Sequence, residues 1–169
     1  MKRCNYLLNG LLATLLFSGC MGYRLGGTHP KGVESVFVAP VINQTLESAI
    51  ELQVTHALRQ RIQFDGRLKL VDSPNEADAV MEVVLTDYFL SAIAFRNDFK
   101  TTAEQYRIRI SASSILKDAQ TGKAITKSET YGETTFFFES DLTTSKRSAL
   151  PRAAQELAKF TVDDLVEQW

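Results

Sequence analysis

Glu104-Gln105-Tyr106-Arg107-Ile108-Arg109-Ile110-Ser111-Ala112-Ser113-Ser114-Ile115-Leu116 alternates with a period of two. Tyr106, Ile108, Ile110 and Ala112 point one way; Arg107, Arg109, Ser111 and Ser113 point the other. That alternation marks a strand with one face on a core and one toward water, the habit of antiparallel sheets. Downstream, Asp118-Ala119-Gln120-Thr121-Gly122 reads as a hairpin turn. Ala124 to Phe138 follows as a weaker strand of threonines and aromatics ending in Phe136-Phe137-Phe138. Its alternation puts Phe137 on one face with Ile125 and Tyr131 and leaves Phe136 and Phe138 open, either core or an anchor on a partner. Upstream, Val80 to Phe95 reads as a long strand with Met81, Val83, Leu85, Phe89, Ile93 and Phe95 on one face. Glu82, Thr86 and Tyr88 lie on the other.

Earlier in the chain, Val33 to Pro40 is a short β-type run built on Val36, Phe37 and Val38. Asn43-Gln44-Thr45 supplies cap-type residues, and Leu46, Ile50, Val54, Ala57, Leu58 and Ile62 then recur at helical spacing until Asp65-Gly66. Arg67 to Asp72 is a short strand, and strand, helix and strand in this order suggest one right-handed parallel crossover. At the other end, Leu150, Ala154, Leu157, Thr161, Leu165 and Trp169 mark a last helix from Ala149, with Pro151 in its first turn. The expected fold is α+β: two amphipathic helices on one face of a mostly antiparallel four-stranded sheet, in the order βαβββα with one strand short. The other sheet face, with Arg107 and Arg109, is expected to be polar.

The N-terminus has its own grammar. Lys2 and Arg3 precede a mostly apolar run from Tyr6 to Phe17, then Ser18-Gly19-Cys20. A basic start, a short apolar stretch and small residues before a cut describe a secretory signal, residues 1–19. The run is shorter than the roughly 20 residues a spanning helix needs. With cysteine after Ser18-Gly19, it resembles a bacterial lipobox, whose thiol receives a diacylglycerol and whose new N-terminus receives an acyl chain. Residues 20–32, rich in glycine, read as a flexible tether, and residues 33–169 as one domain. Cleavage takes nineteen of the 169 residues and leaves 150, enough for a modest core. It also takes two of nineteen basic residues and no acid, leaving seventeen against twenty acidic. Nucleic-acid binding by bulk charge is therefore not expected.

Catalytic chemistry is sparse. Cys4 leaves with the signal and Cys20 becomes a thioether, so the mature chain keeps no free thiol. His29 and His56 have no second ligand at metal spacing, and no Gly-x-Ser-x-Gly elbow occurs. The expectation is no enzyme, no metal and no cofactor beyond the lipid on Cys20.

The order of elements and several strings resemble the lipopolysaccharide-assembly lipoproteins, the LptE family. The strings are Cys20-Met21-Gly22-Tyr23, Arg67-Leu68-Lys69-Leu70-Val71-Asp72, Glu76-Ala77-Asp78-Ala79, and Phe95-Arg96-Asn97 followed by Ala103-Glu104-Gln105-Tyr106. The match departs from the family by a methionine after Cys20 and a longer turn before Tyr106. The resemblance implies two helices on a four-stranded sheet, periplasmic lipid anchoring at the outer membrane, and a non-enzymatic job. That job is to plug and help assemble the LptD β-barrel and to bind lipopolysaccharide. It implies Arg96 as a lipopolysaccharide-binding residue, with Lys146 or Arg147 as a second by distance from Phe137-Phe138. Lys100, Arg107 and Arg109 extend the candidate basic patch, since guanidinium and ammonium groups pair with phosphate. Solvated surface charge is the competing reading for each. A second functional reading stays open, an envelope scaffold or secretion-pore lipoprotein of the curli-secretion type without lipopolysaccharide binding.

Overall fold

The computed structural model describes residues 32–96 and 103–167. In chain order they form β1 (Ser35–Val38), β2 (Ile42–Asn43), α1 (Ile50–Asp65), β3 (Lys69–Val71), β4 (Ala79–Phe95), β5 (Ala103–Asp118), β6 (Ala124–Phe137) and α2 (Leu142–Glu167). Among the described residues the sheet has six strands, in the order β3-β1-β4-β5-β6, with β2 pairing β4 off that path. The expected crossover is present, because β1 and β3 pair in parallel across α1. Two further strand pairs are parallel, β1 with β4 and β2 with β4. The sheet is thus mixed, and the expected four-strand βαβββα order is corrected to six strands. Two strands lie beyond the expected four: β3, the short strand read at Arg67 to Asp72, which joins the sheet through β1, and β2, whose two residues are too short to show periodicity.

Both helices pack on one sheet face, as expected. Val36, Val38, Met81, Val83, Leu85, Ile108, Ile110, Ala112 and Leu116 meet Val54, Leu58 and Ile62 of α1 and Ala154, Leu157, Ala158 and Leu165 of α2. Gly66 ends α1 in a left-handed conformation, φ 71°, and donates its N–H to Ile62 O. The Asp118–Gly122 turn forms as read. Asp118 Oδ1 accepts from the N–H of Gln120 and of Thr121, and Gly122 carries φ 69°.

Three expectations fail for physical reasons. In β4 the register shifts between Leu85 and Asp87, and again after Ala92. One inserted residue flips every later side chain to the opposite face. Tyr88 and Leu90 therefore pack on the core, and Phe89 stands 58% exposed on the open face beside Arg109. Ile93 and Phe95 are exposed as well. Next, α1 starts at Ile50 and leaves Leu46 exposed. Asn43 locks the preceding turn instead of capping the helix: its Oδ1 accepts from the Thr45 N–H, and its Nδ2 donates to Glu47 O. Last, α2 starts at Leu142, so Pro151 lies inside the helix and not in its first turn. Asp141 starts it by accepting the Thr144 N–H at 2.9 Å. The span from Leu142 to Ser148 is too polar to show an apolar stripe.

Candidate functional site

The end of β4, the start of β5, the end of β6 and the start of α2 meet at one end of the molecule. Arg96 lies there, exposed, one residue beyond β4. Around it the aromatics divide. Phe136 is buried and stacks on Tyr106 with ring centroids 5.7 Å apart, so it is core. Phe137 is 62% exposed on the open face, which it shares with Tyr131 as expected. Ile125 leaves that face and packs on the core, because the β5–β6 register shifts next to it. Cys20 and Lys100 lie outside the described residues.

Arg107 and Arg109 lie on the open face, turned from both helices. Arg109 Nε and Nη2 donate to Glu133 Oε2 at 3.0 and 2.8 Å, and Arg107 Nε lies 3.8 Å from Glu133 Oε1. The Arg109 guanidinium also rests 4.5 Å over the Tyr131 ring. One carboxylate thus serves two arginines. Glu133 is itself fixed by α2, whose Glu156 accepts its backbone N–H.

Lys146 and Arg147 stand on the opposite side, on α2. Lys146 Nζ donates to Glu47 Oε1 at 2.7 Å and lies 6.0 Å from the centre of the Tyr88 ring. Arg147 is exposed. The described candidate cations therefore do not form one continuous patch. Two face outward from the sheet, two face the helix side, and Arg96 stands at the end of the strands.

A family model described as "LptE: Lipopolysaccharide-assembly" matches residues 33–168, nearly the whole domain just described. The chain belongs to the LptE family. A search among curated proteins finds no match. Solved structures share the LptE-like fold at low identity. A protein from Xanthomonas campestris superposes with TM-score 0.58 at 8% identity, over 82% of this chain and 88% of its own. A PelC dodecamer subunit from Paraburkholderia phytofirmans gives 0.54 at 15%, over 85% and 96%. Lipoprotein B from Nitrosomonas europaea gives 0.51 at 16%, over 88% and 90%. These likenesses speak for the fold alone.

Sequence reasoning missed Tyr88 and Glu47 as neighbours of Lys146. Alternation set Tyr88 on the outer face, and only the bulge after Leu85 turns it inward beside Lys146. Glu47 lies in the turn three residues before α1, where the helical spacing read from Leu46 gives no sign that it reaches α2. Among the described residues no group of histidine, cysteine and acidic side chains is arranged to hold a metal, and no helix is long and apolar enough to cross a membrane.

Proposed function

We propose that this protein is an outer-membrane lipoprotein, anchored through acylated Cys20 on the periplasmic side. It plugs and helps assemble the LptD β-barrel and binds lipopolysaccharide on its way to the surface, without catalysis. The family match across residues 33–168 carries this reading. The open sheet face supports it: Ser91, Arg107, Arg109, Ser111, Glu133 and Thr135 give a largely polar surface with scattered aromatics, suited to the polar wall of a barrel lumen.

Affinity purification from detergent-solubilised outer membrane tests the partner. A heat-modifiable barrel in near-equal amount supports the plug, whereas a self-assembled ring favours the scaffold reading. Within the plug reading, Arg96→Asp is expected to weaken lipopolysaccharide retention with an unchanged circular-dichroism spectrum, since an exposed charge contributes little to stability. Undiminished retention removes Arg96 from the site. Cys20→Ala is expected to abolish fatty-acid labelling, because the thiol is the acyl acceptor. A labelled variant would contradict the anchor.

A further inference from the structure

Along most of its length β4 has a strand on one flank only. β5 pairs with it from Ala79 to Phe95. On the other flank β1 lies beside residues 79–81 and β2 beside residues 84–85. Among the described residues no strand continues that flank beyond Leu85. The backbone shows which groups are left there. Met81 O and Leu85 O accept from the N–H of Ala39 and of Gln44, so at these two residues the main chain points away from β5. The residue inserted after Leu85 then turns Asp87 toward β5, and Tyr88, Leu90 and Ala92 away from it. Residues 87–92, the regular stretch between two bulges, therefore present a row of donors and acceptors at a sheet edge.

Edges of this kind are ordinarily blunted by lysine, proline or inward charge. Asp87-Tyr88-Phe89-Leu90-Ser91-Ala92 has no lysine and no proline, and its one charge stands at the first position. Asp87, Phe89 and Ala92 are exposed. A strand that fills the edge must match its register and its charge, and a second copy of this chain does both. Outward residues spaced by two are symmetric about the middle one. Antiparallel pairing around a two-fold axis thus sets Leu90 opposite Leu90 and Tyr88 opposite Ala92, exchanging both N–H···O=C bonds at every pair. The same register makes the two Phe89 side chains diagonal neighbours on the open face, at roughly 7–8 Å, a gap that aromatic rings span. Charge agrees: Asp87 opens the edge and Arg96 lies past its far end, so an antiparallel mate brings each carboxylate to its partner's arginine end. A parallel mate would set like charges side by side. A closed barrel has no strand edge to offer.

We infer that residues 87–92 of β4 are a self-association edge, at which two copies of this chain join by antiparallel β4–β4 pairing into one continuous sheet. The joint is short, so the dimer is a reversible one, with a dissociation constant on the order of micromolar. It does not depend on the barrel or on lipopolysaccharide.

The test is sedimentation of the full-length protein in density-matched detergent, with no barrel present, up to about 100 µM, well above a micromolar constant. Wild type is expected to dimerise. Phe89→Glu places a carboxylate beside Arg109 in the monomer and two carboxylates together at the joint. Ala92→Pro removes an outward N–H and no bond of the β4–β5 ladder. Each is expected to weaken dimerisation about tenfold or more, with the circular-dichroism spectrum of wild type. A wild type that stays monomeric would overturn the edge. A dimer equally strong in both variants would overturn it too, since the copies would then meet through another face. So would a dimer weakened by Phe89→Glu while folded Ala92→Pro still dimerises, because rings would then pack without strand pairing. Co-purification of a barrel bears on the proposed function alone, so the two readings fail separately.

Discussion

Gly132→Ala is expected to destabilise the protein by about 3 kcal/mol, read as a lower urea midpoint at unchanged slope. A Cβ at this position would lie 2.2 Å from Leu157 N and 2.3 Å from Ala153 O, both backbone atoms of α2. No rotamer change relieves a clash with backbone, so α2 would have to lift from β6. That displacement would open the core around Leu157 and Ala154, both fully buried. It would also pull on the links by which α2 covers the free edge of β6, where Glu156 accepts the Glu133 N–H and Arg152 donates to Thr135 O. The sign makes the test sharp. In an ordinary strand, alanine for glycine should gain up to about 1 kcal/mol from lower chain entropy. A neutral or stabilising result would mean that α2 does not approach β6 this closely.

Gly132 also marks how far the sequence was legible. The β5 alternation, the Asp118–Gly122 turn and the 3.6-residue spacing of α1 and of the later part of α2 were all readable, because each is a local pattern. What failed was long-range or fell below the length of a pattern. The bulge after Leu85 leaves no local signature, yet it reverses the faces of Tyr88 and Phe89. β2 is two residues whose strand character comes from pairing with β4. The first turns of α2 are polar and held by the Asp141 cap, and an apolar period does not mark them. Gly132, read as one residue of a threonine-rich strand, has its reason only in a helix 25 residues on.

The candidate site divides in the same way. Arg96, Lys146 and Arg147 are candidates through family resemblance and residue type, both legible in the sequence. Their neighbours were not legible, because Glu47 reaches Lys146 across 99 residues of chain and Tyr88 comes beside Lys146 only through the bulge. Arg107 and Arg109 were correctly set on the open face by alternation. Their shared carboxylate, Glu133, depends on the β5–β6 register, which no single strand reveals.

Arg67→Met is expected to cost about 2 kcal/mol near neutral pH and much less in acid. Arg67 joins the ends of the two helices: its Nη2 donates to Asp65 Oδ2 at 2.8 Å and to Asp163 Oδ1 at 3.0 Å, and its Nη1 to Glu167 Oε1 at 3.2 Å. Methionine keeps an apolar stem of similar reach, so the loss reports the charge rather than the packing. The Asp65 side chain is only 10% exposed and would retain the backbone N–H of residue 67 at 3.3 Å and Arg61, 3.5 Å away, but no guanidinium pair from residue 67. The hydrogen bond from Arg67 is the first cause holding the Asp65 carboxyl below the usual carboxylate range. Because the folded state binds that proton less readily than the unfolded chain, its contribution is complete above the unfolded value near 4. It is lost as pH falls through the lower folded value. Denaturation of wild type and variant from pH 7 down to pH 2 should therefore give curves that converge below about pH 4. A gap as wide in acid as at neutrality would show that Arg67 stabilises the helix ends by packing alone, not through the Asp65 carboxylate.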